Sequence, residues 1–438
     1  MKSNEILESM NIKRRRDKKN FIKKPSLFLY VTAFVLVLPL LKILFKLEID
    51  RSKFKLPKES FILLCNHQSY MDFLLVMLPL FPKRLNAITA QKFFFIKPLK
   101  VFLSMMGCIP KTLFEPDPRS IKQMIKVVRR GGNLLIFPEG RISTDGYYAG
   151  IHKAAGKLIK KLGVPVVSGT IEGAYVCMPY WRKRFKRGKL VVTYNNLISA
   201  DETKSLSLDE INARIDNSLS KASTEPKTQR VYVNKNKNLL EGLEEIIYLC
   251  PCCLEEFTTE TKGNIIRCTS CKCEAVMDRF TRLTFTSGGD HPLRFALDII
   301  PESVQQWYRL QAFYEMKSLS DDMEPILIPV DLCVSSAQTG GVEARGRGIL
   351  SLDSKGWVYR GELGGEEDFE RFFPIDSVPA LPFDPLINFQ IYSVGKYHAF
   401  TPYENLRACM KYTILGECAY HRFAKEVMMT LPIVNYKN

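Results

Sequence analysis

Three groups of residues along this 438-residue chain have the types and spacing to do chemistry. The first is Asn66-His67-Gln68-Ser69-Tyr70-Met71-Asp72. Five positions along one regular helix are ~140° apart, so His67 and Asp72 would not share a helix face. They can meet if His67 lies on a turn and Asp72 in the first turn of the helix that follows. The second group is Pro138-Glu139-Gly140-Arg141-Ile142-Ser143. Gly140 lets backbone approach a ligand closely, Arg141 can hold a phosphate, and Glu139 can orient a donor. The third is Cys250-Pro251-Cys252-Cys253 followed by Cys268-Thr269-Ser270-Cys271, two Cys-x2-Cys turns. Each turn can put two thiolates on one cation, and the pair closes a tetrahedral zinc site.

The surrounding pattern supplies the elements these groups need. Phe61-Ile62-Leu63-Leu64-Cys65 is a short apolar run that reads as a buried strand. Phe73 to Leu78 reads as a helix, with Asn66 and Ser69 natural helix-start residues. His67 is therefore expected on a strand-to-helix turn, with Ser69 as a cap rather than a participant. Asn133-Leu134-Leu135-Ile136-Phe137 is a second buried strand, ending in the Arg141 turn. An amphipathic helix at roughly 150–162 and a third strand from Val164 to Thr170 follow. Strands alternating with helices predict an α/β fold, a mixed sheet flanked by helices.

His67-x4-Asp72 alone is a weak signal, since a lone histidine is most often a satisfied structural group. Paired in this order with Phe137-Pro138-Glu139-Gly140-Arg141, each after an apolar strand, it resembles the glycerolipid acyltransferase family, which includes 1-acylglycerol-3-phosphate acyltransferases. The resemblance covers residues ~25–200. It implies His67 as general base on a hydroxyl of the acceptor lipid. Asp72 would orient the imidazole and stabilise its cation, as in a serine-hydrolase triad whose serine is replaced by the substrate's alcohol. It implies Glu139, Gly140 and Arg141 as the grip on the acceptor's phosphate. The family usually carries an arginine in a block between the motifs. Here that block is Gly107-Cys108-Ile109-Pro110-Lys111-Thr112, and Lys111 would be the donor to the phosphate in its place, a point charge rather than a fork.

Residues 1–24 hold nine basic and three acidic residues, and 27–45 are almost wholly apolar apart from Lys42. At ~1.5 Å per residue this segment is near the thickness of a bilayer core. A signal peptide would show a small-x-small cleavage site, and a core helix a polar face; neither is present. The segment is read as a retained membrane anchor, spanning or half-inserted, with its basic flank on the cytoplasmic side. Phe93-Phe94-Phe95-Ile96 fits a membrane-dipping loop and a core segment equally. Tyr180-Trp181-Arg182-Lys183-Arg184-Phe185-Lys186-Arg187 reads as a lipid-facing patch.

The net charge is +17, but residues 1–240 carry +26 and the remainder −9. The basic half is expected to face an anionic partner. Composition excludes a disordered or collagen-like chain, and 12 cysteines in 438 residues exclude a disulfide scaffold. The parsing is a tail and anchor (1–50), an acyltransferase domain (51–223), a linker (224–240), a zinc ribbon (241–286) and a β-rich module with a C-terminal helix (287–438). Within the last, helices are expected near 303–318 and 403–427. Its order of elements faintly resembles a pleckstrin-homology-type module. The metal ligands are expected to be Cys250, Cys253, Cys268 and Cys271, with Cys252 and Cys273 able to replace a neighbour. The zinc would be structural, and the resemblance implies no catalytic cofactor.

The expected activity is transfer of a fatty acyl group from acyl-CoA or acyl-carrier protein to 1-acylglycerol-3-phosphate, giving phosphatidic acid, at the cytoplasmic face of a membrane. Another lyso-lipid or glycerol 3-phosphate is the alternative acceptor. The acidic half, a zinc-ribbon module plus a β-rich module, would serve regulation or the binding of a protein partner. A non-catalytic, membrane-tethered zinc-ribbon adaptor is the rival; nucleic acid is disfavoured because the ribbon lies in the acidic half.

Overall fold

A computed structural model describes residues 22–151, 154–222, 231–235, 237–286, 300–336 and 339–425. The basic stretch at 1–21 and most of the expected linker, 223–230, lie outside the described residues.

The described part opens with an apolar helix, α1 (Leu27–Phe45), whose middle five residues take wider π-type turns. Ser26 caps it, its side chain accepting from the Leu29 N–H. One face of α1 packs on the protein through Tyr30, Leu38, Leu41 and Phe45, while Phe28, Val35, Leu36 and Ile43 are exposed. There follow β1 (Glu48–Asp50), β2 (Ile62–Cys65), α2 (Asp72–Met77), β3 (Leu85–Ala90), α3 (Lys97–Met105) and β4 (Ile109–Lys111). Next come α4 (Pro118–Arg129), β5 (Asn133–Ile136), α5 (Ala154–Leu162), β6 (Val166–Glu172), β7 (Gly188–Lys189), β8 (Val191–Ile198) and α6 (Leu208–Leu219). Helix starts are fixed locally: Asp117 accepts from Ser120 N–H before α4, and Ser207 and Glu210 form a reciprocal capping box before α6.

Seven strands form a mixed sheet in the order β1-β8-β6-β2-β5-β3-β4. β2 is flanked by parallel β5 and β6, and all four of its residues are buried. Strands covered on both faces need continuous apolar runs, which is why β2 and the Leu134–Ile136 run of β5 were visible in the sequence, whereas β6 mixes Val166, Val167 and Ile171 with Ser168, Gly169 and Thr170. β8 runs antiparallel to β6. β2 and β5 are adjacent and parallel, with Leu64 opposite Ile136. Their C-terminal ends lie at the same edge of the sheet, so the turns that follow them must meet.

The stretch expected to be a linker is partly built into this body. β9 (Tyr232–Val233) pairs with β7, and Val231, Val233, Leu239 and Leu240 are buried in the main core. Apolar residues interleaved with lysine and asparagine gave a linker-like composition, yet the apolar ones find cover. Beyond them β10 (Thr259–Lys262), β11 (Ile265–Cys268), β12 (Glu274–Met277) and β13 (Leu283–Thr286) form a four-stranded antiparallel ribbon. α7 (Val304–Ser318) leads to β14 (Ile326–Ser336), β15 (Val342–Asp353), β16 (Gly356–Leu363), β17 (Glu366–Pro374), β18 (Phe383–Asp384), β19 (Asn388–Ser393) and β20 (Lys396–Pro402). These seven strands make an antiparallel sheet ordered β17-β16-β15-β14-β20-β19-β18. α8 (Ala408–Phe423) packs on it and on α7. A Cβ at Gly416 would lie 2.3 Å from Leu381 and 2.7 Å from Trp357, so glycine there lets α8 lie flat against the sheet.

The ribbon holds this helix pair firmly. Trp307 Nε1 donates to Leu249 O at 2.8 Å, and Gln311 Oε1 accepts from the Tyr248 and Leu249 N–H groups. Arg407, just before α8, donates to the carbonyls of Glu244, Phe257 and Thr259. One hydrophobic core runs from α1 through the mixed sheet and the ribbon into the β-rich module.

Candidate active site

His67 leaves the end of β2, and Asp72 is the first residue of α2. The imidazole Nδ1 lies 2.9 Å from Asp72 Oδ2. Asp72 is fully buried, and its Oδ2 also accepts from the Gln68 N–H at 2.6 Å and the Ser69 N–H at 2.8 Å. Ser69 Oγ donates to Oδ1 at 2.5 Å. A carboxylate in such a cage only accepts, so Nδ1 carries the proton and Nε2 is left with a lone pair. The ring is stacked on Phe137, with centroids 4.1 Å apart. His67 keeps 21% of its side chain exposed. Ser69 is thus not the cap that the sequence suggested. Met71 stands at the N-cap without a side-chain bond, and the Ser69 hydroxyl orients the carboxylate instead.

The second motif locks onto the first through backbone. Glu139 Oε1 accepts from the His67 N–H at 2.7 Å, and Oε2 accepts from the Ala149 N–H at 2.9 Å. Ser143 N–H donates to His67 O at 2.7 Å. Glu139 is 1% exposed. Burial pushes its carboxyl up to about 8, against the two N–H bonds, which favour the charged form. Its place is behind the turn, so it acts as a strut for His67. Gly140 adopts φ +75°, a left-handed turn that favours glycine.

Arg141 points to a partner that the sequence did not suggest. Its guanidinium makes a bidentate pair with Glu417 on α8, with Nη2 3.0 Å from Oε2. The side chains are 17% and 1% exposed. Burial opposes the charge on Arg141, but Glu417 more than offsets it and holds the guanidinium firmly protonated. α7 adds Tyr308 near the same group, and Arg309 stacks on Tyr147, 3.6 Å from the ring centroid.

Lys111, at the end of β4, donates to its neighbour's carbonyl, Thr112 O, at 3.0 Å. Burial lowers its pKa, and Asp117 partly restores it. It lines a cavity of about 160 Å3 with Gln91, Lys92, Phe95, Tyr392 and Tyr397, between the mixed sheet's body and the β-rich module. His67 and Arg141 are not among the residues lining that cavity.

The patch expected to face lipid is divided. Tyr180 donates to Phe383 O at 2.9 Å, and Trp181 and Arg182 are buried, Arg182 bonding to Leu239 O. Only Lys183, Arg184, Phe185 and Arg187 are exposed. The β-rich module and the segment around Leu239 cover the rest. Phe93 to Phe95 lie in a half-buried turn, with Ile96 exposed.

In the ribbon, the sulfurs of Cys250, Cys253, Cys268 and Cys271 lie within 4.8 Å of one another, a set that could hold a metal ion.

Residues 48–172 match the family model described as Acyltransferase. The chain carries an acyltransferase-family domain. All of His67, Asp72, Lys111, Glu139, Gly140 and Arg141 lie inside the matched span, while Glu417 and the cysteine cluster lie outside it. Two curated relatives are the chloroplastic 1-acyl-sn-glycerol-3-phosphate acyltransferases BAT2 of Brassica napus and LPAT1 of Arabidopsis thaliana. They are 36% and 35% identical over 118 residues, which is 26% of this chain. The chain spans about a third of their length, 33% and 32%. The 1-acyl-sn-glycerol-3-phosphate acyltransferase of Bacillus subtilis is 26% identical over 32% of this chain and 67% of its own. Among solved structures, the 1-acyl-sn-glycerophosphate acyltransferase PlsC of Thermotoga maritima is similar over 42% of this chain and 72% of its own, at 23% identity and a TM-score of 0.36. The span matched by the family model is less than half of the chain.

Proposed function

We propose that the protein is a membrane-associated O-acyltransferase. It moves a fatty acyl group from a CoA or carrier-protein thioester to 1-acylglycerol-3-phosphate, giving phosphatidic acid. The observation that carries this reading is the His67–Asp72 pair, with Nε2 free to accept, joined through Glu139 to the Arg141 turn. Nε2 takes the proton of the acceptor's hydroxyl as its oxygen attacks the thioester carbonyl carbon. The C–S bond then breaks, the imidazolium returns its proton to the leaving sulfur, and an ester and a thiol result. Asp72 supports the transient cation.

In this reading Arg141 binds the acceptor's phosphate, which must then compete with Glu417 for the guanidinium. That competition favours a second reading, in which the acceptor is a lyso-lipid without a terminal phosphate. A panel of acceptors with labelled acyl-CoA separates the two. The ribbon's four thiolates fit a structural zinc: a closed four-sulfur set leaves no open position, so no step of the reaction passes through it. The start of α1 meets the end of α3, where Met105 O accepts from the Ser26 N–H and Val101, Phe102 and Met105 are exposed. Together they form an apolar platform suited to a bilayer surface, and the basic residues before it favour the cytoplasmic side.

The test is His67→Ala in membranes supplied with labelled acyl-CoA and 1-acylglycerol-3-phosphate. Loss of the base is expected to lower turnover ~10²–10⁴-fold. Full activity in that variant would sink the proposal.

A further inference from the structure

The four-cysteine set accounts for only part of what lies at the end of the ribbon. Cys252 and Cys273 are in the same cluster. The sulfurs of Cys250, Cys252, Cys271 and Cys273 also lie within 4.8 Å of one another. The two sets share two members, Cys250 and Cys271, whose sulfurs are 3.7 Å apart. Around a tetrahedral zinc with Zn–S bonds of ~2.3 Å, neighbouring sulfurs are ~3.8 Å apart. Each set contains a further pair near that length: Cys253 to Cys268 at 3.8 Å in one, Cys250 to Cys273 at 3.6 Å in the other. Two four-sulfur sets with two members in common are what two tetrahedra sharing an edge require.

The backbone explains how the sixth sulfur arrives. Lys272 takes a left-handed φ of +63°, its N–H donates to Cys268 O, and the Cys268 N–H donates to Cys273 O at 2.9 Å. This tight turn swings Cys273 back beside Cys250. At the other turn, Cys252 sits between Cys250 and Cys253 in sequence, and Leu254 is also left-handed at φ +60°. A thiolate sulfur has lone pairs enough to join two cations, whereas a single ion would strand Cys252 and Cys273 as thiols. Cys273 would then be buried and unligated, 3.6 Å from a zinc-bound sulfur.

We propose that the ribbon binds two zinc ions bridged by Cys250 and Cys271, with Cys253 and Cys268 completing one tetrahedron and Cys252 and Cys273 the other. Six thiols release six protons, and two divalent ions against six thiolates leave a net charge of −2. The proposal rests on the structural-zinc reading and doubles its stoichiometry. An all-sulfur tetrahedral environment suits zinc, and iron–sulfur chemistry is the competitor that the experiment must separate.

The test uses the full chain, purified in detergent, with zinc and iron counted by elemental mass spectrometry. Two zincs per chain are expected. Cys252→Ser with Cys273→Ser is expected to leave one, and so is Cys253→Ser with Cys268→Ser. X-ray absorption at the zinc edge of the unaltered protein is expected to show a zinc–zinc vector beyond the sulfur shell, a result that needs no variant to fold. One zinc per chain without that vector overturns the two-ion proposal and leaves the single structural zinc standing. No zinc, or iron in its place, overturns both.

Discussion

Asp72 accepts hydrogen bonds from four donors, and only one of them is the imidazole. The other three keep the carboxylate from turning away when His67 takes up a proton. In Asp72→Asn the amide must place its NH2 against one of these donors or against Nδ1. If it faces Nδ1, the ring's proton moves to Nε2 and the base is lost. Acyl transfer is therefore expected to fall ~10²–10⁴-fold with little change in overall stability, checked by kinetics beside thermal unfolding. Ser69→Ala leaves Oδ1 without its hydroxyl donor. That is expected to cost ~1–3 kcal/mol at the site, read as a lower kcat with an unchanged KM. The meeting of His67 and Asp72 was legible because a five-residue spacing works only across a strand-to-helix junction. The strut role of Glu139 was not, because the sequence gives its charge but not its burial. Glu417 was missed altogether. Its signal was a single carboxylate among Ile414, Leu415, Gly416, Cys418 and Ala419, since such a group needs a partner.

At the scale of elements, β2 and β5 do the positioning. Being adjacent and parallel, they deliver both motifs to one edge of the sheet, and their unbroken apolar runs made them readable. Strands further from the sheet's centre were harder. β3 and β8 mix polar and apolar residues, and the β-rich module was legible as strand-rich without its seven strands being placed. That module carries a pH dependence of its own. His398 on β20 is 4% exposed and lies edge-on to Phe373, and its Nδ1 is 3.3 Å from Ile391 O. Burial lowers its pKa to about 4, with Arg371 and Lys396 adding to the effect and the Ile391 bond opposing it. A histidine whose folded pKa is depressed stabilises the fold fully above its unfolded value of ~6.5, and that stability is lost as pH falls through about 4. The full swing is ~3 kcal/mol. Hydrogen-exchange protection of β19 and β20 is expected to drop between pH 7 and pH 4.5, and His398→Gln to flatten that drop. Equal pH profiles for the two proteins would contradict this account.

Over the whole molecule, some charges of the basic half pair with the chain's own acidic half. Arg141 pairs with Glu417, Lys92 with Asp384 at 3.4 Å, and Lys183 with Glu245 at 3.9 Å. Charge asymmetry in a sequence cannot distinguish an internal partner from an external one, which is why composition alone pointed outward. The buried pair gives a prediction for the complete protein. Glu417→Gln removes the competitor for Arg141 and leaves its charge uncompensated, at a cost of ~3–5 kcal/mol to the fold. The variant is expected to melt earlier than the parent. It should be stabilised by glycerol 3-phosphate more than the parent is, and show a KM for a phosphate-bearing acceptor ~10-fold lower. An unchanged KM would mean that the acceptor does not use Arg141. The pair also joins positions 276 residues apart. During translation the mixed sheet leaves the ribosome long before α8 does. The guanidinium is therefore without Glu417 for that interval, and the nascent acyltransferase domain takes its final form only after α8 has been made.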